Sequence, residues 1–405
     1  MISIKGNALS KIDRSSHEYK SLQAFHERLK TKDSTIWGPA AQAEASIRMN
    51  WIDLPESSRD LLPQFDALAA KHRDKSNVIL CGMGGSSLGP EVIAQTFSKS
   101  LFVLDSTDPD YVAHALAFDL AKSVVVVSSK SGSTIETASQ RALFEGAFKD
   151  AGLNPVDHMV FVTDPGSPLD KQVREGGFTV VNADPHVGGR FSVLSPFGLV
   201  PAALIGVDVS VLLDNASDTK NAFFADSQTM CDIAYLLSYV ADQYVAFTDE
   251  ASGMPGLSDW IEQLVAESTG KNEVGRLPIV AESSHNGREG NAFSIAFTGN
   301  ADLVTIIANL ELKKEKLVLP ANALRESFRI SHAIAEITNI NPSARQPYVG
   351  VSAFAHKAGL HASAIKVDPS LYQHEDPESV GNDMRMLVSD MAGRASIELK
   401  SQELG

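Results

Sequence analysis

The sequence holds few cysteines, no long apolar run and no excess of positive charge, and each lack argues against a class of protein. Only Cys81 and Cys231 occur among 405 residues. Two cysteines are too few for a disulfide framework and fit a reducing compartment, so a cytoplasmic protein is predicted. No run of about eighteen apolar residues occurs, and the polar N-terminal segment lacks a signal-peptide core, so no membrane association is expected.

The charge balance limits the partners. The formal net charge is −15, whereas non-specific binding of nucleic acid requires a basic surface, so no nucleic-acid partner is expected. Apolar residues make up 43% of the chain and charged residues 21%, which is typical of a globular protein. The length is sufficient for two or three domains.

Short apolar runs alternate with helical stretches between residues 77 and 182. Strands are predicted at 77–82, 101–105, 123–129, 158–164 and 178–182, with helices between them at 90–97, 108–118, 134–149 and 167–176. This alternation of β-branched runs and helices predicts an α/β fold whose parallel sheet is covered on both faces.

The pattern of predicted strands and helices changes in the remainder of the chain. Further strands are predicted at 243–249, 277–282 and 292–297, which indicates the start of a second α/β unit. Residues 320–340 have apolar side chains at helical spacing and predict one long amphipathic helix.

A glycine-rich loop, GMGGSSLGP at residues 82–90, lies between a predicted strand and a predicted helix. Its glycines permit a tight turn and close approach of a ligand, and the helix start offers unpaired N–H groups. The spacing matches neither the dinucleotide-binding nor the Walker pattern. A simple turn with packing glycines explains this loop equally well.

A second loop, SSKSGSTIET at residues 128–137, follows a run of four valines and is rich in hydroxyl groups. Hydroxyls and backbone N–H groups at a helix start suit the several acceptor oxygens of a phosphate ester. The alternative is a solvated helix cap without a ligand, because Ser and Thr favour such caps. Ligands bind at the carboxyl ends of parallel strands, and both loops are predicted there.

Three stretches in order, CGMGGSSLGPEV, SSKSGSTIET and VGGRFSVLSPFGLVPAALIGVD, resemble phosphoglucose isomerase, especially the isomerase half of bifunctional transaldolase–phosphoglucose isomerases. The resemblance covers about residues 35–282. It implies a parallel-sheet sugar-isomerase (SIS) fold and interconversion of glucose 6-phosphate and fructose 6-phosphate. It also implies a homodimer, a sugar phosphate as the small-molecule partner, and no cofactor.

The resemblance also implies a role for each matching residue. Glu267, in LVAESTGK, would be the base that moves a proton between C1 and C2, and Arg190 would stabilise the enediolate. Gly85 and Ser86 would contact the sugar, and Gln263 would line the same pocket. The phosphate would be held by Ser129, Lys130, Ser131, Gly132, Ser133, Thr134 and Thr137.

These roles make chemical sense. Removing a proton next to a carbonyl requires a carboxylate base, whose pKa is usefully raised by partial burial, and a fixed cation beside the developing oxyanion. A guanidinium serves as that cation because it does not lose its proton. Without the motifs, the simpler interpretation would be that Arg190 forms a structural ion pair and that Glu267 is a carboxylate on a helix surface.

The resemblance ends near residue 282. The family normally supplies a ring-opening His and a Lys near the C-terminus, and neither has a match beyond Glu282. His285 lies in SSHNGREGN, which lacks the expected surroundings. The second sugar-isomerase unit is therefore predicted to be incomplete.

The tail resembles a different family. TGNADLVTIIANLELK at 298–313 and RQPYVGVSAFAHKAGLHASAIKVDPSLYQHEDPESVGN at 345–382 look like citramalate synthase and 2-isopropylmalate synthase. By this resemblance the tail is a mostly helical linker segment, Asn300 is a metal ligand, and His356 and Tyr372 assist condensation with acetyl-CoA. The preceding barrel and its H-x-H ligands are lacking, and one ligand does not hold a divalent ion, so no metal is expected.

The sequence thus predicts a helical extension at 1–34, a first sugar-isomerase domain at 35–210, a partial second one at 211–297 and a synthase-like segment at 298–405. Apolar side chains of 320–340 are expected to be exposed, because the barrel they would cover is missing. Three functions compete: an aldose–ketose isomerase, a non-catalytic phosphosugar-binding module, and a fragment of an acyl-CoA condensing enzyme.

Overall fold

The computed structural model describes residues 4–241, 243–270, 275–281, 293–298, 323–338, 344, 346, 348–356, 368, 376–386 and 400–401. The chain forms two compact units, Met1–Gly299 and Asn300–Gly405. The finer boundaries near 35 and 211 remain predictions.

Four helices precede the first sheet: α1 His17–Lys30, α2 Gln42–Arg48, α3 Leu54–Ser57 and α4 Leu62–Lys71. A buried carboxylate fixes the start of α1. Asp232, 4% exposed, accepts hydrogen bonds from Arg14 Nη2 and from the Tyr19 hydroxyl, each at 2.7 Å. The N-terminal segment is thereby attached to residues much later in the same unit.

The first sheet has five parallel strands in the order β2-β1-β3-β4-β5: β1 Asn77–Cys81, β2 Phe102–Leu104, β3 Ser123–Ser128, β4 Met159–Thr163 and β5 Thr179–Asn182. The connecting helices are α5 Leu88–Thr96, α6 Pro109–Leu116, α7 Ile135–Asp150 and α8 Pro168–Glu175. The predicted parallel α/β fold is confirmed. Three further helices follow: α9 Pro196–Leu204, α10 Val209–Ala225 and α11 Ser227–Tyr235.

The valine run of β3 explains why both faces of this sheet are buried. Side chains alternate along a strand, so Val124 and Val126 enter one core layer while Val125 and Val127 enter the other. All four are at most 1% exposed. The first layer includes side chains of α4 and α9, and the second includes Phe144 and Phe148 of α7, so helices cover both faces as predicted.

A second sheet in the same unit has three described strands, β6 Tyr244–Ala251, β7 Leu277–Val280 and β8 Phe293–Thr298, which are parallel and ordered β7-β6-β8. Helix α12, Leu257–Ser268, covers one face, where Val245 and Phe247 pack with Ile261 and Val265. The opposite face is more open: Tyr244, Leu277 and Ile279 are 44%, 53% and 40% exposed.

Helix α12 also packs against the first sheet's layer of helices. A Cβ at Gly89 in α5 would lie 3.6 Å from the Trp260 side chain, and one at Gly256, just before α12, would lie 3.5 Å from Val92. This packing brings the end of α12 toward the loop that follows β1.

In the Asn300–Gly405 unit, a 3₁₀ turn at Ala323–Glu326 precedes a helix at Ser327–Thr338. Residues 323–338 of the helix predicted at 320–340 are therefore helical throughout, with a 3₁₀ first turn in which the Ser327 hydroxyl donates to the Leu324 carbonyl at 2.6 Å; residues 320–322, 339 and 340 lie outside the described residues. Ile330 and Ile334 are 42% and 51% exposed, in line with the expected apolar surface.

The other described residues of this unit include a small packed region. Short parallel strands β9 Ala355–His356 and β10 Arg385–Met386 pair beside a core of Tyr348, Val349, Phe354 and Val380. Asn382 Nδ2 donates to the carbonyls of Tyr348 and Gly350 at 2.8 and 3.0 Å. Across the described part of the chain, no helix is long and apolar enough to cross a bilayer.

A buried histidine makes stability depend on pH. His72, 4% exposed, has no hydrogen-bond partner for Nε2 among the described residues. Burial, followed by repulsion from Lys71 and Lys75, lowers the pKa of His72 from 6.5 to about 4. The unfolded chain binds more protons in this window, so His72 lowers the free energy of unfolding as pH falls from about 6.5 to about 4, by up to about 3 kcal/mol.

The substitution His72→Gln is expected to remove this component. Urea unfolding of the wild type and the variant at several pH values should show a difference that grows between pH 6.5 and pH 4. The exposed His17 provides the control, and His17→Gln should leave the profile unchanged. Parallel profiles for wild type and His72→Gln would contradict the assignment.

Candidate active site

The strand order reverses between β1 and β3, because the chain moves to one side of β1 for β2 and then to the other side for β3. In open parallel sheets, ligands bind in the crevice at this switch point, beyond the carboxyl ends of the strands. The loops that follow β1 and β3 are the two loops singled out in the sequence. They therefore lie beside each other at the edge where a ligand is expected.

Glycine in the first loop permits contact with a second turn. The loop forms a 3₁₀ turn at Gly84–Ser86, and a Cβ at Gly85 would lie 2.4 Å from the Gly189 carbonyl oxygen and 2.8 Å from the Arg190 Cα. Only a residue without a Cβ allows this approach. The β1 loop and the turn Gly189–Phe191 are consequently in direct backbone contact, with Ser86 partly exposed beside them.

Arg190 and Glu267 face each other next to this contact. Arg190 Nη1 lies 3.5 Å from Glu267 Oε2, and Arg190 Nε donates to Ser268 Oγ at 2.9 Å. Gln263, one helical turn before Glu267 in α12, donates from Nε2 to Glu267 Oε1 at 2.8 Å. A Cβ at Gly84 would lie 2.8 Å from that same Nε2. Three residues predicted for the sugar end of the site are thus brought together beside the glycine loop.

The environment of this group is more open than the partial burial expected for a base. The Glu267 side chain is 47% exposed and that of Arg190 is 27% exposed. Glu267 lies on the last turn of α12. The Arg190 guanidinium is also fixed by the Phe191 ring, whose centroid lies 4.7 Å from Cζ.

The hydroxyl loop after β3 presents exposed hydroxyl groups. The Ser131 and Ser133 side chains are exposed, with their oxygens 2.6 Å apart, and Ser129 Oγ accepts the Gly132 N–H at 3.1 Å. Thr134 is the N-cap of α7, yet its side chain makes no capping hydrogen bond within this described helix start. The Thr134 side chain therefore does not act as a cap of α7.

Leu169 packs against the backbone of this loop at Gly132. Gly132 has φ +77°, and a Cβ there would lie 2.4 Å from Leu169 Cβ. The positive φ and the close contact both favour glycine at this position.

Thr137 faces a cavity of about 370 Å³ between α7 and α8, which Ser129 and Gly132 also line. Arg141 lies in the same cavity but is already paired, with Nε 2.6 Å from Glu145 Oε1 and Nη1 donating to Gln172 Oε1 at 3.0 Å. Motif analysis did not identify Arg141, because only helical spacing places it one turn beyond Thr137.

Lys130 is turned toward neighbouring loops. Its Nζ lies 2.7 Å from Asp164 Oδ2 and donates to the Pro185 carbonyl at 3.3 Å. Sequence analysis did not identify Asp164 as a functional residue. The available signal was its position, since it directly follows β4 as Lys130 follows β3.

Several buried polar atoms near this edge have no hydrogen-bond partner among the described residues: Ser128 Oγ, Thr137 Oγ1, Asp164 Oδ1 and Gln263 Oε1. Buried polar atoms are costly when unpaired, and most in folded proteins are satisfied. A polar ligand with many oxygens is one means of satisfying such atoms.

The residues implied by the tail resemblance form no described site. Asn300, Tyr372 and the side chain of His356 lie outside the described residues, as does His285. Among the residues that are described, no group of three or more His, Cys, Asp or Glu side chains is arranged to hold a metal ion.

Comparison with protein families identifies two unrelated matches. A family model for phosphoglucose isomerase matches residues 66–274, and one for the homocitrate synthase post-HMGL domain-like family matches residues 348–405. The N-terminal part is 32% identical over 217 residues to a probable glucose-6-phosphate isomerase of Haloarcula marismortui, covering 51% of this chain and 50% of that protein. The chain thus spans about half the length of the curated isomerases it matches.

The tail is similar to a synthase. Over 107 residues it is 76% identical to (R)-citramalate synthase of Streptomyces coelicolor, covering 26% of this chain and 20% of that protein.

A crystal structure of a glucose-6-phosphate isomerase from Chlamydia trachomatis matches with a TM-score of 0.50 and 21% identity, covering 72% of this chain and 62% of that one. This last likeness is one of fold, and the sugar-isomerase fold predicted from the motifs is confirmed.

The contact at Gly85 can be tested by substitution. Gly85→Ala should force apart the β1 loop and the Gly189–Phe191 turn, and overpacking of this kind costs about 1–3 kcal/mol. Gly146, in α7, is the matched control, because an added Cβ meets nothing within 4 Å and alanine favours a helix by about 0.5–1 kcal/mol. Urea unfolding should show destabilisation by the first change and slight stabilisation by the second. Equal stability of the two variants would contradict the contact.

Proposed function

The chain belongs to the phosphoglucose isomerase family, and we propose that it is an aldose–ketose isomerase that interconverts glucose 6-phosphate and fructose 6-phosphate. The observation that carries this proposal is the facing pair Arg190 and Glu267, 3.5 Å apart beside the glycine loop at the switch point. A carboxylate and a guanidinium in this arrangement supply a base and an oxyanion partner at one position.

The proposed reaction is a proton transfer between neighbouring carbons. With the open-chain aldose bound, the Glu267 carboxylate takes the proton from C2, and the C–H electron pair forms the C1–C2 double bond as charge moves to O1. Arg190 stabilises that charge without giving up its proton. The hydroxyl proton on O2 then passes to O1, and Glu267 returns its proton to C1, which leaves the ketose with its carbonyl at C2. No electrons are gained or lost, so the reaction needs no redox cofactor.

Gln263 has a supporting role in this proposal. Its Nε2 donates to Glu267 Oε1 and so limits the rotation of the carboxylate, while its own Oε1 is buried and unpartnered among the described residues. That oxygen is available to a sugar hydroxyl. Gly85 and Ser86 complete the sugar end of the site through the turn that contacts Arg190.

The hydroxyl loop is proposed to hold the phosphate. Ser131 and Ser133 are exposed, and the Thr134 hydroxyl makes no capping bond at the start of α7. The unpaired N–H groups and partial positive charge of that helix start favour an anion, which matters in a chain of net charge −15. Binding the phosphate at a distance from the reacting carbons would hold the substrate in register.

A non-catalytic phosphosugar-binding module is the second candidate. One observation favours it: the Glu267 side chain is 47% exposed, whereas a catalytic base is expected to be partly buried. Such a module would use the same phosphate loop but would not supply ring opening. The homodimer and the ring-opening residues implied by the family resemblance remain predictions.

Condensation with acetyl-CoA receives less support. The tail corresponds to 20% of the citramalate synthase it resembles, and the described residues contain no metal-binding group. We therefore assign the proposed activity to the isomerase part of the chain alone.

The substitution Glu267→Gln separates the first two candidates. The amide keeps the size of the side chain but cannot accept the proton, so kcat for fructose 6-phosphate isomerisation should fall by about a hundredfold or more while sugar-phosphate affinity stays nearly constant. Turnover is followed by coupled detection of glucose 6-phosphate, and affinity by calorimetry.

Glu262, on the same helix, provides the control, and Glu262→Gln should leave both quantities unchanged. Full activity of Glu267→Gln would show that the base is another group. Tight binding of fructose 6-phosphate by the wild type without any turnover would favour the binding module.

A further inference from the structure

We propose that the Lys130 ammonium group is a positioning group that links the phosphate loop to the segment carrying Arg190, and that it does not contact the phosphate itself. This inference rests on the proposed function. It assigns Lys130 a role different from that of the hydroxyl groups beside it in the same loop.

The contacts of Lys130 support this role. Its Nζ lies 2.7 Å from Asp164 Oδ2 and 3.3 Å from the Pro185 carbonyl oxygen, which it bonds as a donor. The Lys130 carbonyl in turn accepts the Asp164 N–H and the Thr163 hydroxyl, each at 3.1 Å. Both the backbone and the side chain of Lys130 are therefore attached to the end of β4 and the loop after it, and the ammonium group already has two oxygen partners.

The three segments that Lys130 links follow neighbouring strands of the first sheet. Lys130 follows β3, Asp164 follows β4 and Pro185 follows β5, and these strands lie side by side in the order β3-β4-β5. One ammonium group thus spans the carboxyl ends of three adjacent strands. Its side chain is 29% exposed and that of Asp164 18% exposed, so solvent screens this pair less than a surface pair.

The segment after β5 leads directly to Arg190. Asp184 Oδ2 accepts a hydrogen bond from Asn50 Nδ2 at 2.8 Å, and Val187, 2% exposed, forms an antiparallel bridge with Met49. Between these two attachments, the Pro185 carbonyl accepts hydrogen bonds from both Lys130 Nζ, at 3.3 Å, and Arg48 Nη1, at 2.5 Å, so Lys130 shares this contact with Arg48. Only four residues separate Pro185 from Arg190, so a displacement of Pro185 is expected to alter where the guanidinium lies relative to Glu267.

This arrangement couples the two halves of the proposed site. A phosphate that orders the hydroxyl loop also orders Lys130, and through Pro185 it orders the turn that carries the oxyanion partner. Misplacement of a catalytic group by about 1 Å can cost about a hundredfold in rate, so such a link has a measurable effect.

The test compares two probes by calorimetry on the full chain: inorganic phosphate, which reports the hydroxyl loop alone, and 6-phosphogluconate, whose carboxylate lies where enediolate charge would develop. Lys130→Met should weaken 6-phosphogluconate binding about tenfold, the size of one charge-assisted hydrogen bond, while phosphate affinity changes less than about twofold. Lys130→Arg, which can donate to both partners, should restore most of the loss.

Two further variants sharpen the result. In an Arg190→Met background, Lys130→Met should cause little additional loss, because the group that it positions is gone. Lys71 is the matched control. Its Nζ donates to Thr179 Oγ1 at 3.2 Å, and Thr179 is the first residue of β5, so this contact lies at the amino-terminal ends of the strands, away from the proposed site. Lys71→Met should alter neither affinity.

Equal weakening of both probes by Lys130→Met would make Lys130 a phosphate ligand and overturn the proposal, as would no effect on either probe. Failure of the proposed function has a different signature. In that case the unaltered chain binds neither probe, or it binds both and does not isomerise fructose 6-phosphate. After the second result, the effect of Lys130→Met on the two affinities can still be measured, because neither probe reacts.

Discussion

The site depends on one backbone contact, the approach of Gly85 to Gly189 and Arg190. A Cβ at Gly85 would lie 2.4 Å from the Gly189 carbonyl oxygen, so only glycine allows the two turns to meet. The contact joins the crevice of the first sheet to the turn that carries the guanidinium. Helix α12 packs on α5 from the other side and brings Glu267 to that guanidinium, with 3.5 Å between Arg190 Nη1 and Glu267 Oε2. Without this contact the proposed base and its cation would belong to separate surfaces.

The first sheet and the positions of both loops could be predicted from the sequence. The valine run of β3 is buried on both faces, and its β-branched residues alternating with helices permit few architectures. The placement of the two loops then follows, because the carboxyl ends of parallel strands share one edge. The motifs that resemble phosphoglucose isomerase pointed to Arg190, Gln263 and Glu267, whose contacts depend on packing between α12 and the first sheet. No local pattern predicts that packing.

Other features could not be predicted, for identifiable physical reasons. The direction of the Lys130 side chain depends on Asp164 and Pro185, which lie 34 and 55 residues away along the sequence. The exposure of the Glu267 side chain, 47%, depends on which residues pack against the last turn of α12. The 3₁₀ first turn before Ser327 depends on the backbone hydrogen-bond pattern, which the spacing of apolar residues does not reveal. The tail contains a small core and is similar to a synthase of a different family.

The central claim is that a carboxylate opposite Arg190 moves a proton at the sugar's first two carbons. The most direct measurement is deuterium incorporation from D₂O into fructose 6-phosphate, followed by NMR. This exchange reports proton transfer even where ring opening is slow. We expect deuterium incorporation at C1 that depends on the protein and is lost in Glu267→Gln. Binding of the sugar phosphate without incorporation, or incorporation that survives the substitution, would contradict it.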